Sequence, residues 1–107
     1  MKMRKLLIFG LLACLLAISG QAYAHSPLMS CFDNGDGTVT CEGGFSDGSS
    51  ASGVGMSVKA PDGKTLMEGK MSQDSEYSFK KPEGGYTVVF DAGEGHTVVI
   101  NGADIVE

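Results

Sequence analysis

The chain has 107 residues, 13 of them acidic and eight basic, for a formal net charge of −5. So acidic a chain lacks the Lys and Arg density that phosphate backbones demand, which excludes a nucleic-acid partner. Sixteen glycines and no tryptophan describe a small, turn-rich chain.

The first 24 residues read as a secretory leader. Lys2, Arg4 and Lys5 form its basic start, Leu6 to Ile18 its apolar stretch, and Ala22-Tyr23-Ala24 an A-x-A cleavage site. The apolar stretch is too short for a confident membrane span. A rival reading takes Leu11-Leu12-Ala13-Cys14 as a loose lipoprotein box, which would lipidate Cys14 and abolish a free terminus at His25. With the leader, three of the eight basic residues leave and all 13 acidic ones stay, so the mature net charge is −8. Residues 25–107 are then one domain of 83 residues with a modest core. No later segment could span a bilayer, so the mature product is expected to be soluble, periplasmic or secreted.

In chain order, the first predicted strand is Met29 to Asp33. Asn34-Gly35-Asp36-Gly37 is a strong hairpin signal. The second strand puts Val39, Cys41, Gly43 and Phe45 on one face and Thr38, Thr40 and Glu42 on the other. In a hairpin centred on Asp36, Cys31 and Cys41 stand directly opposite, as a disulfide requires in an oxidising compartment. A copper or zinc thiolate pair is the alternative.

After a polar loop from Ser46 to Gly53, the third strand turns Val54, Met56, Val58 and Ala60 inward. Pro61-Asp62-Gly63 is a turn, because Pro presets φ and Gly accepts positive φ. Strands follow at Thr65 to Met71, Tyr77 to Phe79, Tyr86 to Phe90 and His96 to Ile100, separated by a Ser72–Glu76 loop and by Gly-rich turns. Seven short strands joined by tight turns predict an all-β, antiparallel seven-stranded β-sandwich, transthyretin-like or Ig-like, with no helix after the leader.

Val54-Gly55-Met56-Ser57-Val58, Pro61-Asp62-Gly63-Lys64 and Glu68-Gly69-Lys70, followed by Tyr77-Ser78-Phe79 and Gly85-Tyr86-Thr87-Val88-Val89-Phe90-Asp91-Ala92-Gly93-Glu94-Gly95-His96, resemble the carboxypeptidase regulatory-like domain, a transthyretin-like sandwich. Phe90 to His96 is most similar to periplasmic accessory components of nickel and cobalt uptake transporters, whose mature domains also begin near a histidine. The resemblance implies a metal-transport membrane complex, or another envelope protein, as partner.

Only two histidines are present, His25 and His96. Cleavage after Ala24 would make His25 the first residue, offering an α-amine and an imidazole from one residue. Pro27 in third position has no amide N–H, which excludes the square-planar site built from successive deprotonated amides. A T-shaped brace remains, with His25 supplying two nitrogens and His96 the third, a set that suits Cu(II) or Ni(II)/Co(II). Asp91 and Glu94 flank His96 as optional oxygens, Asp33 or Asp36 could reach from the hairpin, and Met29 could offer Cu(I) a thioether. The expected metal residues are therefore His25, His96, Asp91 and Glu94.

Catalysis is not expected. Asp33-Asn34-Gly35-Asp36-Gly37 lacks calcium-loop spacing, since Gly44 stands where a Glu is needed. The glycine-rich stretch from Gly43 to Gly55 has no lysine to cradle a phosphate, and no Ser-His-Asp set has a plausible base. The competing functional reading is a non-enzymatic interaction module, binding an envelope protein or a polysaccharide without metal.

Overall fold

The computed structural model describes residues 25–107. The expected leader and Cys14 lie outside them. Seven strands follow one another: β1 (Pro27–Asp33), β2 (Thr38–Phe45), β3 (Gly55–Lys59), β4 (Thr65–Lys70), β5 (Glu76–Lys80), β6 (Thr87–Asp91) and β7 (Thr97–Asn101). They form two antiparallel sheets, one ordered β1-β2-β5 and the other β4-β3-β6-β7. The expected all-β sandwich of seven antiparallel strands is the architecture found.

Alternation builds the core. Val39 and Cys41 of β2 face Met56 and Val58 of β3 and Val88 and Phe90 of β6, and the side chains of Val39, Cys41, Val58, Val88 and Phe90 are wholly buried. Burying these apolar faces is the main favourable term in a domain of this size. Thr38, Thr40 and Glu42 point away from the core, as the period of two requires.

The β1–β2 hairpin turns where the sequence indicates. Gly35 and Gly37 adopt φ of 78° and 93°, which side-chain-bearing residues rarely take. The turn is held locally: the Asp33 carboxylate accepts from the Gly35 N–H at 2.8 Å, and Asp36 accepts from the Thr38 N–H at 3.0 Å. Its register sets Cys31 opposite Cys41, and the two form a disulfide with Cα atoms 4.0 Å apart. The bond is compatible with life outside the reducing cytoplasm.

Strand bounds shift by one or two residues from the expectation, and one further element appears. β1 begins at Pro27, two residues early, because a proline at the first position of an edge strand forfeits no ladder bond. β5 begins at Glu76, where Ser75 takes a positive φ of 61° and steers the chain into the sheet. A single 3-10 turn, Gly102–Asp104, follows β7, capped by the Asn101 side chain accepting from the Ala103 N–H at 3.0 Å.

The two ends of the sandwich are distinguished by aromatic pairs. At one end Phe45 meets Phe90 edge-on, with ring centroids 6.0 Å apart. At the other Phe79 meets Tyr86 at 6.0 Å. β1 packs beside β7 along one side, and the Tyr77 ring packs against Gly69 of β4 along the other.

Candidate functional site

The register continues beyond β1. The Ser46 N–H donates to the Ser26 carbonyl at 2.9 Å, and the Ser26 N–H donates to Ser46 Oγ at 2.9 Å. These bonds extend the ladder past the Pro27–Phe45 pair and bring the next residue, His25, opposite Asp47. His25 Nδ1 stands 2.6 Å from Asp47 Oδ2, with the histidine side chain 57% exposed and the aspartate 26%. The start of the described chain is thus held by one backbone–backbone bond, one backbone–side-chain bond and a side-chain pair.

Asp47 is itself anchored. Its Oδ1 accepts from the Ser49 N–H at 3.0 Å and from the Ser49 hydroxyl at 2.6 Å, leaving Oδ2 for His25. The loop behind it is pinned to the sheet, with the Ala51 N–H donating to Ser75 Oγ at 2.9 Å and the Gly53 N–H to the Met71 carbonyl at 2.9 Å. The Ser49 hydroxyl and amide, and then the charge of His25, hold the Asp47 carboxyl below the ordinary aspartate value of 3.8.

His96 closes the β6–β7 hairpin. Its N–H donates to the Gly93 carbonyl at 2.9 Å, and its Nδ1 lies 3.1 Å from the Glu94 carbonyl oxygen. Asp91 accepts from the Gly93 N–H at 3.0 Å, and the exposed Glu94 meets His96 through its backbone. Because Phe45 stands opposite Pro27 in its ladder and Phe90 opposite Val98 in the other, the contact between the two rings sets His25 and His96 at the same end of the sandwich. The two rings nevertheless take different partners, and among the described residues no three His, Cys, Asp or Glu side chains form a group able to hold a metal ion. Asp33 lies at the opposite end, paired with Lys81 at 2.8 Å. Met29 packs against the core.

Asp47 was not among the expected ligands, yet a signal for it exists. Counting outward from the turn centred on Asp36, the register that pairs Cys31 with Cys41 also pairs His25 with Asp47. Reading residues 46–53 as a featureless polar loop conceals this.

The hairpin carboxylates give the fold an acid limit. Asp33, bonded by Lys81, and Asp36, bonded by Thr38, also sit below 3.8, as Asp47 does. A lowered folded-state pKa contributes stability above the unfolded value, and that contribution is lost as pH falls through the folded value. The melting temperature is therefore expected to fall on acidification from pH 5 through and below the ordinary aspartate value of 3.8, and Asp33→Asn should flatten part of that fall. A melting temperature flat across the range would contradict it. Lys81, raised by its bond to Asp33, adds stability below its ordinary 10.5 that is lost only as pH rises beyond it.

Comparison with protein families, with curated proteins and with solved structures gives no match. The fold and its bond define the class: a disulfide-tied, seven-stranded antiparallel β-sandwich. Among the described residues no helix is long and apolar enough to cross a membrane.

Proposed function

We propose that this chain is an exported β-sandwich, periplasmic or secreted, that binds one transition-metal ion at its mature N terminus and assists uptake or handling of that metal. The ion is Cu(II) or Ni(II)/Co(II). The ligands are the α-amine and Nδ1 of His25 together with the Asp47 carboxylate. His96, at the same end, is the candidate for a further nitrogen.

The supporting observation is the 2.6 Å separation of His25 Nδ1 and Asp47 Oδ2. Two donors bound at right angles, each about 2.0–2.2 Å from one ion, stand about 3 Å apart, so the pair needs little movement to share a metal. Nδ1 is also the ring nitrogen that closes a six-membered chelate with the α-amine of the same residue. Asp47 is poised for the role because its other oxygen is already engaged by Ser49 and its carboxyl stays ionised. The resemblance to accessory domains of nickel and cobalt transporters points the same way and supplies the expected partner, a metal-transport membrane complex.

A titration tests it. The protein is purified after export, its terminus verified by mass, and Cu(II) and Ni(II) are added against a competing chelator. One extra residue ahead of His25 removes the amine from the chelate and is expected to weaken binding at least about 100-fold, near 2.7 kcal/mol. Asp47→Ala is expected to weaken it about tenfold, near 1.4 kcal/mol. An extended terminus that binds as tightly as the native one overturns the reading.

The second reading, a metal-free interaction module, is supported by a different observation: β1 is an edge strand that carries no charge before its last residue, Asp33.

A further inference from the structure

β1 is an outer strand of its sheet, and the ladder fixes which of its backbone groups are spent. Ser26 and Asn34 bond to the β2 side, through the Ser46 N–H to the Ser26 carbonyl at 2.9 Å and the Asn34 N–H to the Thr38 carbonyl at 3.0 Å. Antiparallel ladders alternate, so Leu28, Ser30 and Phe32 also direct their backbone groups to β2. Pro27, Met29, Cys31 and Asp33 then direct theirs outward. The Asp33 N–H confirms the phase, because it donates to the Val106 carbonyl at 3.0 Å and so closes that end of the edge. Between Pro27 and Asp33 the outward N–H and C=O groups of Met29 and Cys31 bond to no other strand among the described residues.

Edges of this kind are usually guarded by charge, bulges or proline. β4 carries Glu68 and Lys70 and pairs through a bulge at Val58/Lys59, and β5 carries Glu76 and Lys80 and runs into Lys81-Pro82. β1 has an unbroken register over all seven residues and no charge before Asp33. It also exposes large apolar side chains, Leu28 at 53% and Phe32 at 38%, beside a shallow trough floored by Gly43 and Gly44 with Glu42 on its rim. β7, on the same side, is uncharged as well but two residues shorter, and it exposes Val99.

Charge identifies the occupant. The five Lys of residues 25–107 lie between 59 and 81, on or beside β3, β4 and β5, and Lys81 reaches across to Asp33 at the end of β1, where it is ion-paired. The remainder of those residues holds nine carboxylates and no Lys or Arg. A second copy of this chain would be repelled by these carboxylates, whereas a cationic strand would be steered to them.

We propose that the open edge of β1 docks an extended, cationic segment of a partner protein, which adds to the three-stranded sheet as a fourth strand. Met29 and Cys31 supply the main-chain bonds, and Leu28, Phe32 and the Gly43/Gly44 trough receive the segment's apolar side chains. The docking uses no metal ligand and deepens the second reading above, so it stands or falls separately from the terminal chelate.

The probe is a synthetic peptide alternating valine and lysine, with a valine–glutamate peptide as control, both added to the exported protein in the presence of a strong chelator. Amide hydrogen exchange by NMR is the readout. Met29 and Cys31 are expected to exchange fast in the free protein and at least tenfold more slowly at saturation, while Leu28 and Ser30 are protected throughout. Ser30→Lys, on the exposed face, is expected to weaken the lysine peptide about tenfold and to leave the fold intact. Equal binding of the two peptides, protection elsewhere than β1, or a dimer of the free protein in sedimentation would each overturn the proposal. Loss of metal binding on extending the terminus, with peptide docking retained, leaves it standing.

Discussion

Gly43→Ala is expected to destabilise the domain by about 3 kcal/mol, the upper part of the range for overpacking a well-filled core. A Cβ at this position would lie 2.8 Å from Phe90 Cε2, 3.0 Å from Met71 Cε and 3.1 Å from Met71 Sδ. Phe90 is wholly buried and Met71 nearly so, which leaves the ring no room to retreat. At Gly43 β2 therefore passes close over Phe90 of the opposite sheet. Urea unfolding should show a lower midpoint with an unchanged slope. In a domain of this size the loss corresponds to at least about 12 °C in melting temperature. A loss under about 1 kcal/mol would mean that the sheets separate more easily than the packing implies.

Removing the disulfide is the second large effect. Cys31 and Cys41 are ten residues apart, and closing so short a loop is worth roughly 2–3 kcal/mol in the chain-entropy account. The double replacement Cys31→Ala/Cys41→Ala also leaves space around position 41, which is wholly buried, so the loss is expected to reach at least about 3 kcal/mol. The bond ties edge strand β1 to β2 in the register that also sets His25 against Asp47. Its removal by the double replacement should therefore weaken Cu(II) binding as well as the fold. Unchanged stability after reduction would contradict the account.

Much of the fold was legible because its signals are local. Asn34-Gly35-Asp36-Gly37 states both a turn and its centre, and the centre fixes the Cys31–Cys41 pair. Val54, Met56 and Val58 alternate so cleanly that β3 reads directly from hydropathy, and Pro61-Asp62-Gly63 closes it into β4. What stayed hidden depends on the arrangement of the sheets. Nothing in Glu76–Lys80 says that β5 leaves β4 to pair with β2, because its alternation suits either sheet.

The candidate site was half legible. His25 stands out by position, and Pro27 rules out one whole class of coordination. Scarcity of histidine points to His96 as its partner, and the strand register adds Asp47, which stands against His25 in the structure. His96 and His25 do reach one end of the sandwich, but His96 is engaged with its own hairpin at Gly93 and Glu94.

The terminal chelate is tested most directly by paramagnetic broadening. One equivalent of Cu(II), added to isotopically labelled protein with its verified native terminus, should erase the amide signals of Ser26, Ser46 and Asp47 first. Those around Asp33 and Lys81, at the far end, should persist. Broadening centred on the far end, or the same pattern from protein carrying an extra residue ahead of His25, would contradict a metal held by the His25 amine and ring together with Asp47.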